Sequence, residues 1–67
     1  MFHPHSYKVG DHVKLTSEIS TKEGTYDAGH EFEIIDFYER HGVALYDLRD
    51  SELHLIGGAS ADDFEYA

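Results

Sequence analysis

The chain has no cysteine, no tryptophan, a single proline and only five basic residues against fourteen acidic ones. Each shortage excludes something. Without cysteine there is no disulfide, no zinc–thiolate site and no thiol nucleophile, so the usual staples of small secreted domains are missing. No apolar run approaches the roughly 18 residues of a membrane span. Met1-Phe2-His3-Pro4-His5 has neither the basic head nor the apolar stretch of a signal peptide. A cytoplasmic protein with no membrane partner is expected. No segment repeats apolar residues at i, i+3, i+4 and i+7 long enough for a full helix.

The lack of positive charge is the second exclusion. Formal net charge is −9 with histidine neutral. A duplex-binding surface clusters its cations to displace counterions from phosphates. Here Lys8, Lys14, Lys22, Arg40 and Arg49 stand singly among acids, so no direct nucleic-acid binding is expected. A basic protein partner fits the field better. Protonating all six histidines would bring the formal charge to −3 (−9 + 6). Less self-repulsion then predicts greater stability near pH 6 than near pH 8.

What is present reads as strand and turn. Sixty-seven residues make one domain, and a chain this short buries only about 60% of its unfolded surface. Residues 1–6 read as a flexible lead-in and 7–66 as a single small barrel. Gly10-Asp11 is a turn, and Val13 and Leu15 follow with the period of two that buries one strand face. The first strand is placed at about 12–16. Ser17 to Gly29 reads as a long polar connection anchored by Ile19, with Tyr26-Asp27-Ala28-Gly29 as a tight turn. The second strand, about 30–39, sets Phe32 and Ile34 on one face and Ile35 and Phe37 on the other. That change of phase predicts a bulge or bend at Ile34-Ile35. Arg40-His41-Gly42 is a hairpin loop with Gly42 left-handed. A third strand covers about 43–49, with Ala44, Tyr46 and Leu48 on one face. A fourth covers about 52–56 and ends at Gly57-Gly58, its inward face left open between Leu53/Leu55 and His54/Ile56. Ser60 and Asp63 form a capping box for one helical turn, after which Phe64 returns to the core in a closing strand. The predicted core is Val9, Val13, Leu15, Ile19, Phe32, Ile34, Val43, Leu45, Tyr46, Leu48, Leu55, Ile56 and Phe64.

The opening Val9-Gly10-Asp11-His12-Val13-Lys14-Leu15, the long loop ending in Gly29, two meander strands, a one-turn helix and the final Phe64-Glu65 strand together resemble the Src-homology-3-like small barrels. The Tudor and KOW types belong to that group. The resemblance spans residues 7–66 and implies an all-β, five-stranded barrel with a single short helical turn before the last strand. It implies little about activity, because this architecture hosts many unrelated functions. The basic residues that a KOW domain turns toward RNA are absent. Ala44-Leu45-Tyr46-Asp47 copies the opening motif of signalling Src-homology-3 domains, but too near the end of the chain to carry over proline-peptide binding.

Six histidines invite a metal reading. If the fold brought His12, His30 or His54 to a carboxylate, imidazole nitrogen could hold a divalent ion. Solvated surface histidines are the simpler account, and no metal or cofactor is expected. His3 is the separate candidate. A free amine, two amide nitrogens and its imidazole can enclose Cu(II) or Ni(II) in a square plane. Tudor-like cages set aromatics around a methylated cation, a role open to Tyr26, Phe37 and Tyr38 beside Asp27 or Asp36. No nucleophile sits in a strained turn and no Gly-rich loop precedes a helix, so no enzyme is expected.

The leading expectation is a non-catalytic protein-binding module that uses Tyr26, Asp27, Phe37, Tyr38, Arg40 and His41. The alternatives are an acidic inhibitor that mimics charge on a partner's basic, nucleic-acid-binding surface, and a small structural subunit of a homo-oligomer.

Overall fold

The turn at Lys8–Asp11 starts the fold. The Asp11 amide donates to the Lys8 carbonyl (3.0 Å) and the Asp11 carboxylate accepts from the Lys8 amide (2.9 Å), while Gly10 takes a φ of 100° that L side chains avoid. The structure, a computed structural model, describes residues 7–67. The lead-in at 1–6 and the His3 site lie outside the described residues.

The strands of the described residues are, in chain order, β1 His12–Leu15, β2 Ile19–Thr21, β3 Gly24–Tyr26, β4 Glu31–Arg40, β5 Val43–Arg49, β6 Leu55–Ala59 and β7 Phe64–Tyr66. A 3₁₀ turn, Ala61–Asp63, precedes β7. Five strands form one antiparallel sheet in the order β6-β5-β4-β1-β7, and β2 and β3 form a separate two-stranded sheet. No helix among the described residues is long and apolar enough to cross a membrane.

The closed five-stranded barrel is corrected to an open sheet. Among the described residues β6 and β7 each pair on one side only. β7 is only three residues long and pairs with β1, Val13 opposite Tyr66 and Leu15 opposite Phe64, so its other edge offers too short a ladder to close the ring.

Within the sheet the two-residue period decides burial. Val13, Leu15, Phe32, Ile34, Tyr46, Leu48, Ile56 and Phe64 are buried, joined by Tyr7, Tyr26 and Ala59. Aromatic edges fill one end of this core: Tyr7, Tyr46 and Phe64 meet at 4.9–5.8 Å between ring centroids, the edge-to-face geometry that ring quadrupoles favour. The register of β4 on β5 shifts between Ile34 and Asp36. The bulge falls where the sequence changes phase, and it returns Phe37 to the side of its partner Tyr46, 5.1 Å between rings. The β4–β5 hairpin closes on His41 and Gly42, both with positive φ (54° and 79°), as a two-residue primed turn requires. The Ser60 box forms as expected, with Ser60 Oγ accepting from the Asp62 amide and Asp63 accepting from the Ser60 amide.

Other expectations are corrected. Val9, Val43 and Leu55 are exposed, not core: Val9 sits in the turn, Val43 opens a strand at the hairpin tip, and Leu55 faces away beside buried Ile56. Leu45 is half-buried on the outer face opposite Tyr38. The long polar connection contains the β2–β3 hairpin, held by polar contacts that no apolar pattern marks. Ser20 and Thr25 hydroxyls meet at 3.2 Å, and Thr21 Oγ1 donates to the Gly24 carbonyl (3.2 Å). The fourth strand begins at Leu55, not Glu52, and runs through the two glycines to Ala59. Gly58, at φ 72°, lies where the β5–β6 register shifts between Tyr46 and Leu48.

Candidate functional site

Where β5 ends, Asp50 is the one buried charged residue among those described, 5% exposed. The segment from Ser51 to His54 wraps round its carboxylate. Oδ1 accepts from the backbone amides of Glu52 (3.0 Å) and His54 (2.8 Å). The Asp50 carbonyl accepts from Leu53, and its amide donates to the His54 carbonyl, both at 3.0 Å. This wrapping forces Leu53 to φ 68°, a left-handed conformation that costs a non-glycine residue about 1–2 kcal/mol.

Oδ2 receives two imidazoles from different parts of the chain. His30 Nε2, just before β4, lies at 2.9 Å, and His54 Nδ1 at 3.0 Å. An ionised carboxylate only accepts, so both ring nitrogens are N–H donors and that partner fixes the tautomers. Burial alone would push the Asp50 carboxyl up. The His54 amide, the two imidazoles and the Glu52 amide outweigh it and hold the group well below the usual carboxylate range. No buried side-chain nitrogen or oxygen among the described residues lacks a partner.

Tyr26 positions both rings. It is buried at the end of β3, 5.3 Å from the His30 ring and 5.9 Å from the His54 ring between centroids, and Phe32 closes on His30 at 4.8 Å. Glu52 Oε1 stands 3.8 Å from His54 Nδ1. Two shallow depressions flank the cluster. One, about 350 Å³, includes His12, Glu31, Arg49 and Ser51 in its wall; the other, about 250 Å³, is lined by Glu23, Tyr26, Leu53, His54 and Leu55.

A second carboxylate ties β5 to β6. Asp47 Oδ1 accepts from the Gly58 amide and from the Tyr38 hydroxyl, both at 3.1 Å. That hydrogen bond, then burial, pushes the Tyr38 phenol up. Arg40 lies over the same ring at 5.8 Å.

The expected site residues therefore part company. Tyr26 is core, not surface, because it fills the space beside His30 and Phe32. No ring contact among the described residues joins it to Phe37 or Tyr38, so the three do not form a cage. Phe37 is half-exposed (45%), Tyr38 is half-buried and engaged with Asp47, and Asp27, Arg40 and His41 are exposed. His30 and His54 are not freely solvated: both are committed to Asp50. His12 is exposed on β1. Asp50 escapes sequence reasoning, which reads Asp50-Ser51 as a plain turn. The only signal for it is an aspartate with backbone amides two and four residues on, the pattern of an aspartate-led turn.

No protein-family model, no curated protein and no solved structure matches this chain.

Proposed function

We propose that this chain is a non-catalytic protein-binding module, an open relative of the Src-homology-3-like barrels, that takes an extended segment of a partner along β6. The strand order, with the β2–β3 hairpin inserted between β1 and β4, supports the architectural part.

One observation carries the functional part. Among the described residues β6 is an outer strand with one unpaired edge, and Leu55–Ala59 contains no charge and no proline. Natural sheets guard such edges with lysine, proline or brevity, because unpaired amides and carbonyls template another strand. The opposite edge, β7, is guarded by brevity and by Glu65. β6 carries no such charge, its bulge at Gly57-Gly58 interrupts the edge after Ile56, and Leu53 and Leu55 stand beside it at 72% and 56% exposure. Main-chain pairing would supply affinity and the Leu53–Leu55 depression side-chain selectivity. Glu23 in its wall, and Glu52 3.8 Å from the His54 ring that also lines it, favour a segment that mixes apolar and basic residues. Self-pairing of β6 is the weaker occupant, since two copies would each bring a formal −9.

The charge-mimic reading keeps one observation in its favour. Lys14 and Arg49 already pair with Glu65 and Glu33 at 3.8 Å, so two of the few cations are neutralised and the outward field stays acidic.

Selection from a displayed random-peptide library against the full chain tests the proposal. Enriched peptides are expected to shift amide resonances of residues 53–59, to lose binding on Leu55→Glu, and to keep most affinity at physiological salt. Peptides that map elsewhere would overturn it. Affinity that collapses between low and physiological ionic strength would transfer the case to charge mimicry.

A further inference from the structure

The two ends of the described chain meet at a pair of tyrosines. Tyr7 lies just before the opening turn and Tyr66 ends β7, and their rings stand 4.6 Å apart between centroids at 46°. We propose that Tyr7 and Tyr66 are an oxidative cross-linking site, joined ring to ring by a one-electron oxidant of the haem-peroxidase class with hydrogen peroxide. This assignment does not depend on the β6 proposal.

Geometry is the first argument. Two ring radii and one carbon–carbon bond of about 1.5 Å put the centroids of directly joined phenols roughly 4.3 Å apart. Tyr7 and Tyr66 stand within a few tenths of an ångström of that separation. Tyr7 and Tyr46, also in ring contact, are 5.8 Å apart and nearly perpendicular. Burial, and after it the neighbouring Tyr66 phenol, pushes the Tyr7 phenol up, and the same two causes act on Tyr46. Charge on Tyr66 is therefore felt at both hydroxyls, which places its hydroxyl end beside theirs. The ortho carbons that couple are the ones next to the hydroxyl.

Access is the second. Tyr66 is 51% exposed and Tyr7 9%, so the oxidant meets Tyr66 first. Tyr66 gives up one electron and its hydroxyl proton. The phenoxyl radical takes an electron and a proton from Tyr7 across the ring contact, and a second oxidation of Tyr66 leaves two radicals side by side. They join through one ortho carbon each, and the two ortho hydrogens pass to the oxygens as the rings regain aromaticity. The chain loses two electrons and two protons in all, which reduce one peroxide to two waters.

Context is the third. A formal −9 on each copy keeps separate chains apart, which favours coupling within a chain. The new bond encloses nearly the whole chain, and cross-links that close long loops restrict the unfolded ensemble most. In a chain without cysteine, two touching phenols supply the staple that thiols cannot.

Treatment of dilute full-length protein with a haem peroxidase and hydrogen peroxide tests this. A monomer two hydrogen atoms lighter is expected, with the blue fluorescence of a biphenol, and proteolysis should yield fragments joined at Tyr7 and Tyr66. Tyr66→Phe should abolish the cross-linked monomer, whereas Tyr38→Phe leaves its yield unchanged. Phenylalanine keeps the exposed ring, so the fold should persist, and an amide NMR spectrum verifies that it does. The purified cross-linked monomer should melt at least about 10 °C above the untreated chain. Absence of coupling in the folded protein, or coupling that maps to Tyr26, Tyr38 or Tyr46, would overturn the assignment. So would cross-links mainly between chains, a yield indifferent to Tyr66→Phe, or a melting temperature that does not rise.

Discussion

Asp47 and Asp50 both stitch β5 to the chain beyond it, and they do so in opposite ways. Asp47, half-buried in the strand, uses one oxygen to gather the Gly58 amide and the Tyr38 hydroxyl. Asp50, just past the strand end, is buried and uses both oxygens, on two amides and two imidazoles. The first patches an irregularity in a ladder that the β5–β6 pairing already holds. The second replaces a ladder, because residues 51–54 have no strand partner among the described residues and take their shape from that carboxylate. A half-buried carboxylate trims a fold; a fully buried one organises it.

The comparison breaks most decisively at Asp50. Asp50→Ala removes every acceptor from four donors and is expected to cost about 2–4 kcal/mol, against a whole stability of roughly 3–10 kcal/mol for a chain of this size. Urea unfolding measures it. Asp47→Ala should cost only about 0.5–1.5 kcal/mol by the same assay. Equal losses at the two positions would remove the distinction drawn between them.

Acid sharpens it. Because the folded chain holds the Asp50 carboxyl below its unfolded range of about 3.9, its stabilising contribution is complete above about pH 5 and drains away as pH falls through 4 and lower. Asp50→Asn should flatten that part of the stability–pH curve, and Asp47→Asn should not. In the other direction, acidifying from pH 8 to 6 is expected to raise the melting temperature, because the net charge becomes less negative and self-repulsion falls. A fall would contradict it.

Leu53 offers a gain. Its side chain is 72% exposed while its backbone sits at φ 68°, so Leu53→Asn should stabilise by about 0.5–1 kcal/mol. Chemical denaturation decides the sign. Tyr38→Phe should have the smallest effect of all, visible mainly as faster amide exchange at Gly58.

The positions of β1, β4, β5 and β7, the bulge after Ile34, the hairpin at His41-Gly42 and the Ser60 box are legible in the chain because each is a local rule acting over two to four residues, whereas the fourth strand begins three residues later than the sequence pattern places it. The β2–β3 hairpin is not, because its strands are three residues long and polar on both faces, with no periodicity to detect. Core assignment fails at Val9, Val43 and Leu55, where an apolar side chain falls in a turn, at a hairpin tip or on an outer face. It misses Tyr7 and Tyr26, amphipathic residues whose burial depends on what packs over them.

Composition and short-range pattern determined that this chain would be acidic, free of thiols and built of brief antiparallel strands. Only tertiary structure decided that the sheet stays open and that His30 meets Asp50. That contact crosses 20 residues, and its existence depends on how β4 and β5 register and on Tyr26 filling the space beside them. Turn chemistry is written in neighbouring residues, whereas the joining of distant ones is settled by the packing of the whole chain.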